Sequence, residues 1–148
     1  MKPIFTVEKY TLEDLHGIAE IEKECFEKPW SYESFCMEYA DKNKFYFVAR
    51  NSEGKVIGYG GYAHILDEGH IMNIAVTESY RGKGVAKAIV AKMIGSARDN
   101  GISAITLEVN DANAPAIALY EKMGFEFSGL RKHYYGWEKD ARIYWLYL

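Results

Sequence analysis

Polar and apolar positions along the chain change period several times, and each change marks an element. Alternation from Phe5 to Lys9 predicts a short strand. Apolar residues then recur at Leu15, Ile18, Ala19 and Ile21, ahead of Phe26 and behind Thr11, Glu13 and Asp14. This is the pattern of a capped amphipathic helix, closed by Lys28-Pro29. Ser31, with Glu33 in the first turn, caps a second short helix reaching about Ala40, and the polar run Asp41 to Lys44 turns the chain. Strands are predicted at Phe45 to Arg50 and Val56 to Ile65, joined by a hairpin turn at Asn51 to Lys55. Gly58, Gly60 and Gly61 inside the second of these predict a bulge or the close approach of another backbone. Leu66 to Gly69 is read as a turn, and His70 to Val76 as a further strand.

From Gly84 to Asn100 the period becomes helical, with Val85, Ala86, Ile89, Val90, Met93, Ile94 and Ala97 on one stripe and Gly101 closing it. Ala104 to Asn110 reads as a strand. Asn113 and Pro115 open a helix that Gly124 stops, and strands near Phe125 to Lys132 and Arg142 to Leu148 finish the chain. The order is strand, two helices, three strands, helix, strand, helix, two strands. It predicts one mixed α/β domain over residues 1–148, whose central helix crosses between two neighbouring parallel strands. Within the strand from Ala104 to Asn110, Glu108 stands between Leu107 and Val109. Alternation places it on the face opposite Ile105, Leu107 and Val109, which meets water, a helix or a ligand.

Composition narrows the class. At 148 residues, 49% hydrophobic and 15% aromatic, the chain can bury the core of one compact domain. Its 18 basic and 21 acidic residues give a net charge of −3, which excludes a whole-protein field that draws it to nucleic acid or an anionic membrane. Any anionic ligand must be held locally. Cys25 and Cys36 have neither zinc-ligand spacing nor a disulfide framework, so they read as packing residues of a protein in a reducing cytosol. No apolar run approaches the ~18 residues needed to cross a bilayer, and the start of the chain turns polar within a few residues. A soluble, unprocessed, cytoplasmic protein without nucleic-acid or membrane partners is expected.

One segment carries phosphate chemistry. In "TESYRGKGVAKA", Gly82 and Gly84 let the backbone bend several N–H groups toward one point at a helix start, where Arg81, Lys83 and Lys87 add cations; a pyrophosphate finds complementary donors there. The alternative is an ordinary glycine-bearing turn with solvated cations. The segment lacks G-x-x-x-x-G-K-[ST], and Lys87 stands where a dinucleotide fingerprint needs its third glycine, so a pyrophosphate ligand other than ATP or NAD is preferred.

The segment "RGKGVA", Arg81 to Ala86, resembles the acyl-coenzyme-A loop of the GNAT N-acetyltransferases. "NDANAPAIALYEKMGF", Asn110 to Phe125, is similar to that superfamily's later Asn…Tyr helix with its closing Gly-Phe. Within the superfamily, "CFEKPWS", "DEGHIMNIAV", "LEVNDAN" and "RKHYY…DARIYWL" together resemble the bacterial ribosomal-protein-alanine N-acetyltransferases, over nearly the whole chain. The resemblance implies a GNAT fold, a mixed central sheet of about seven strands flanked by about four helices. It implies acetyl-CoA as cosubstrate and no metal. Ile74, Ala75 and Val76 would hold the pantetheine arm, and Arg81, Gly82, Lys83, Gly84, Val85, Ala86 and Lys87 the pyrophosphate, with Asn113 also touching the cofactor. Glu108 would be the general base and Tyr120 the general acid. The acceptor would be a protein N-terminus starting with alanine, from a small-subunit ribosomal protein, in a short groove carrying Trp30, Glu68, Tyr134 and Tyr135. Three positions depart from the family: Ala86 replaces the usual final glycine, Asn110 an arginine and Ala112 a serine.

The residue chemistry is consistent with these roles. An α-amine of pKa ~8 costs only about 1.4 kcal/mol to deprotonate at pH 7, against roughly 4.6 for a lysine. A carboxylate is a sufficient base if burial or a bridging water helps it, and a phenol of pKa ~10 protonates a thiolate of ~8.5 at a cost of about 2 kcal/mol. His64, His70 and His133 are alternative bases without a partner visible in the sequence, and Tyr120 has an alternative as a packing residue. Two other functions compete: a GNAT enzyme acting on lysine or a small amine, and a non-catalytic acyl-CoA sensor. The sensor needs the glycine loop but neither Glu108 nor Tyr120.

Overall fold

The computed structural model describes residues 4–136 and 139–148. Seven strands form one sheet: β1 (Phe5–Lys9), β2 (Lys44–Asn51), β3 (Val56–Ile65), β4 (Glu68–Val76), β5 (Ala104–Asn110), β6 (Glu126–Gly136) and β7 (Lys139–Tyr147). Four helices flank it: α1 (Leu15–Cys25), α2 (Tyr32–Tyr39), α3 (Val85–Asp99) and α4 (Ala114–Lys122). Among the described residues no helix is long and apolar enough to cross a membrane. The strand order is β1-β2-β3-β4-β5-β7-β6. All neighbours are antiparallel except β4 and β5, which run parallel with α3 as their crossover. This is a mixed sheet with the predicted crossover between two neighbouring parallel strands; the order in which β7 lies between β5 and β6 is not foreseen from the sequence.

The caps explain where the helices begin. Ser31 accepts from the Ser34 N–H, and Asn113 caps α4 by accepting from the Ala116 N–H at 3.3 Å. The predicted first helix differs at its start: Thr11 opens a 3-10 turn at Leu12–Asp14, and the α-helix begins only at Leu15. Asp14 is drawn into that turn because its carboxylate takes the Thr11 N–H and also pairs with the Arg50 guanidinium.

Each face of the sheet has its own core. Ile89, Val90, Met93 and Ala97 of α3 pack on Phe47, Ile105, Leu107 and Tyr144, with Tyr120 and Phe125 joining from α4 and beyond. On the other face Leu15, Ile18 and Ile21 of α1 and Phe35 of α2 cover Tyr46, Val48 and Tyr59. Truncating a fully buried residue such as Ile89 to alanine would cost about 2–5 kcal/mol.

Three local expectations need correction. The expectation for the β3 glycines holds at Gly58, where the β2–β3 register slips between Ala49 and Arg50, paired with Gly58 and Val56, so that Ile57 is an extra residue of β3, and where a Cβ would lie 3.2 Å from Ala75 O. It fails at Gly60 and Gly61, because the β3–β4 shift between Gly60 and Tyr62, paired with Ile74 and Ile71, puts the extra residue in β4. Gly60 and Gly61 instead admit side chains: a Cβ on Gly60 would lie 2.7 Å from Ile89, and one on Gly61 2.5 Å from the Tyr46 ring. The turn after β3 is shorter than predicted, since Glu68 and Gly69 already belong to β4 and pair with Ile65 and His64. The last hairpin is longer than predicted, because Gly136 pairs with Lys139 and extends both strands.

Candidate active site

Parallel pairing of β4 and β5 covers only Glu68–His70 against Ala104–Thr106. Beyond it the strands part, and two clefts border the gap.

The first, about 420 Å³, is lined by Ile74, Ala75 and Val76 of β4, by Tyr80, Arg81, Gly82 and Gly84, by Val85 to Lys87 of α3, and by Asn113, Pro115, Ala116, Leu119 and Tyr120. Gly82 and Gly84 have φ of +75° and +83°, a region that strains any L side chain. Gly84 ends that turn as the N-cap of α3, which no described side chain caps, so the first-turn N–H groups and the positive end of the helix dipole open on the cleft. The Thr77 N–H donates to Ile57 O, which makes that register position a hydrogen-bonded pair. Alternation then turns the N–H groups of Ile74 and Val76 away from β3, toward the gap.

Arg81 is not a mobile cation. Its Nε donates to Val76 O at 2.9 Å, and its guanidinium lies 3.3 Å from Cys25 Sγ and 4.0 Å from Glu24, so it pins the loop to the end of β4. Glu24 also accepts from the Thr77 hydroxyl and the Glu78 N–H, hydrogen bonds that hold its carboxyl below the usual range. Lys83 lies over the Tyr80 ring, 5.5 Å from its centroid, and is not part of the lining. Tyr120 is buried against Phe125 with its ring edge-to-face.

The second cleft, about 360 Å³, is lined by His70, Ile71, Met72 and Asn73 of β4, by Thr106, Leu107 and Glu108 of β5, and by Tyr134 of β6. Glu108 therefore faces a cleft and not bulk water; its side chain is 24% exposed. Arg131 pairs with it at 3.2 Å. The Tyr134 hydroxyl also donates to Glu108, which is the main cause holding that phenol above its ordinary value. In a regular strand residues three apart face opposite sides. Here His133 adopts a left-handed φ of 59°, its N–H donates to the Asp140 carboxylate, and the register slips between Arg131 and Gly136; Arg131 and Tyr134 both turn to Glu108.

All the cofactor positions expected from the sequence except Lys83 thus share one cleft with Tyr120, while Glu108 and Tyr134 share the other. Glu68 lies just before the second cleft, 3.0 Å from His70 Nε2. Trp30 sits between α1 and α2, 43% exposed and 5.7 Å from the Phe35 ring. The Tyr135 side chain lies outside the described residues. Sequence reasoning missed Tyr80, Asn73 and Arg131, and it gave His70 no partner. No local pattern announces Arg131, because its approach to Glu108 depends on the kink at His133.

The profile of the acetyltransferase (GNAT) family matches residues 15–125. The chain belongs to the GNAT acetyltransferase family. It is 31% identical over 130 residues to the ribosomal protein bS18-alanine N-acetyltransferase of Escherichia coli strain K12, spanning 88% of this chain and 86% of that one. The crystal structure of the ribosomal-protein-S18-alanine N-acetyltransferase from Escherichia coli superposes with a TM-score of 0.86 at 30% identity, over 97% and 93% of the two chains. Arabidopsis thaliana NAA60, in complex with acetyl-CoA, shares the fold with a TM-score of 0.88 at 18% identity, over 97% of this chain and 98% of its own. A GNAT acetyltransferase must bring an acyl donor and an amine together at one carbon. In this one the two clefts abut along β4, where Asn73 lines the second and Ile74 the first.

Proposed function

We propose that this acetyltransferase moves the acetyl group of acetyl-CoA to the α-amine of an N-terminal alanine on a ribosomal protein, by direct attack within a ternary complex. The observation that carries the reading is the junction of two unlike clefts at Asn73 and Ile74, one offering backbone donors and a helix start, the other a carboxylate. The relatives named for bS18-alanine support the choice of acceptor.

The residues present fit the cosubstrate. Outward N–H groups at Ile74 and Val76 can pair with the amides of a pantetheine arm, and the turn at 82–87 with the start of α3 matches a pyrophosphate. Asn113 and Leu119 border the same channel. Acetyl-CoA supplies the thioester carbonyl carbon that the amine attacks. Glu108 takes the proton that the nitrogen loses, directly or through a water, and the Tyr120 hydroxyl gives one to the departing sulfur. The Val76 N–H donates to the carbonyl oxygen as it gains charge. Trp30, Glu68 and Tyr134 border the path of the incoming peptide. The free, half-buried thiols of Cys25 and Cys36 suit a reducing cytosol.

The test is direct. An Ala-starting peptide from a small-subunit ribosomal protein is incubated with acetyl-CoA, and fragmentation mass spectrometry locates the acetyl group. Acetylation at the α-amine is expected, with none on the same peptide when its N-terminus is blocked and its lysines are free. Acetyl mainly on lysine, or small polyamines outcompeting every peptide in kcat/KM, would overturn the acceptor assignment.

A further inference from the structure

Glu22 is 2% exposed, on the face of α1 that meets the sheet. Its carboxylate accepts from three segments: the Trp30 N–H at 3.0 Å, Asn73 Nδ2 at 3.4 Å and the Tyr59 hydroxyl. Among the described residues it forms no ion pair. A buried carboxylate held only by neutral donors is an expensive way to fill space, since an apolar side chain of similar volume avoids the desolvation cost.

What the carboxylate does that an apolar residue cannot is orient its donors, and two of the three belong to the acceptor side. Asn73 lines the second cleft, within the stretch where β4 carries its extra residue and the ladder to β3 is interrupted. Trp30 belongs to the α1–α2 connection, whose ring leans on Phe35, which in turn packs edge-on against Tyr59. The bulge and the connection thus share one anchor. Tyr59, buried in the sheet, fixes that anchor from below.

Resting on the acceptor-cleft reading above, we infer that Glu22 is a positioning residue for the acceptor: it sets the distance between Trp30 and the β4 bulge, and so the width of the site that takes the first side chain of the peptide. Among the described residues no hydrogen bond joins Glu22 to the cofactor cleft, so the two substrates should respond differently to its replacement.

The experiment compares the full chain with Glu22→Gln and Asn73→Ala for acetyl-CoA affinity by calorimetry, for peptide KM and kcat, and for the kcat/KM ratio of Ala-starting over Leu-starting peptides. Gln keeps the volume but turns one acceptor into a donor facing a donor. Glu22→Gln is expected to raise the Ala-peptide KM and reduce the Ala/Leu ratio, each on the order of 10-fold, while acetyl-CoA affinity stays within about twofold. An unchanged KM and ratio in the folded variant overturns the inference, as does a parallel loss of acetyl-CoA affinity. If Glu22→Gln does not fold, Asn73→Ala decides: a KM about threefold higher supports the role and an unchanged one sinks it. An unsubstituted chain that prefers lysine or small amines overturns the alanine reading alone, and the same KM comparison on that acceptor still decides Glu22.

Discussion

The cleft beside α3 draws its polar groups from backbone N–H, glycine conformation and a helix start, whereas the cleft beside β6 draws them from side chains that three strands deliver. The first is assembled within a single strand-turn-helix run, from Ile74 to Lys87, with α4 closing it. The second needs Glu108, Arg131 and Tyr134 brought together across the gap between β5 and β6, which are not neighbours in the sheet. A ligand common to many enzymes can be held by backbone, which side-chain changes away from the turn glycines leave in place. An acceptor that distinguishes one enzyme from the next is better met by side chains, which are replaced one at a time.

The sharpest test of that contrast lies in the two groups proposed to move protons. Glu108→Gln and Tyr120→Phe preserve shape, and Phe keeps the contact with Phe125. Each is expected to lower kcat on the order of 10²-fold or more, with acetyl-CoA affinity and Tm nearly intact. Near-normal turnover in steady-state assays would return the residue to packing.

On the backbone-built side, Gly84→Asp puts a side chain at a left-handed φ and a carboxylate at the helix start. Calorimetry should show acetyl-CoA affinity weakened by about 10-fold or more, whereas Lys83→Ala, outside the lining, should change it by less than about threefold. Equal losses would mean that free cations, and not the turn, hold the ligand.

A smaller effect comes from the buried phenols, which gather on the α1/α2 face although burial also raises Tyr144 in the other core. Burial raises Tyr10 to about 12 and also pushes up Tyr46 and Tyr59, all on the α1/α2 face. A raised folded value means the neutral phenol is favoured in the fold. Its stabilisation is therefore fully present below the unfolded value of ~10 and is lost as pH climbs through the folded one. Tm should fall between pH ~10 and ~12, and less steeply in Tyr10→Phe; identical slopes in thermal melts would exclude the buried phenol as a cause.

The same division explains what could be read from the chain. The glycines at 82 and 84, the helix stripe from Val85 and the cap at Asn113 are local signals, and the elements they predict are those that border the first cleft. Gly58 marks a real bulge in β3, but Gly60 and Gly61 mislead because their reason lies elsewhere, in Ile89 and the Tyr46 ring, which the fold alone brings over them. Glu22 looks like a polar flank beside an apolar stripe, and nothing nearby signals that α1 turns it inward to Tyr59 and Asn73. Glu108 is visible as a carboxylate amid an apolar strand, but its partners are not, since regular alternation along β6 would put Arg131 and Tyr134 on opposite faces.

Arg131 gives the smallest expected effect and bears on whether the side-chain cleft is pre-closed. Its pair with Glu108 spans 3.2 Å, with the arginine side chain 57% exposed, and a pair so open to solvent contributes about 0–1 kcal/mol. A peptide amine entering this cleft competes with the guanidinium for the same carboxylate. Arg131→Ala should therefore lower the peptide KM by about threefold at most and leave acetyl-CoA affinity unchanged. Added salt should reproduce part of that change in the unsubstituted chain, because screening weakens the exposed pair more than the buried anchor at Glu22. A loss of turnover as deep as that of Glu108→Gln would mean instead that Arg131 holds the carboxylate in its working position.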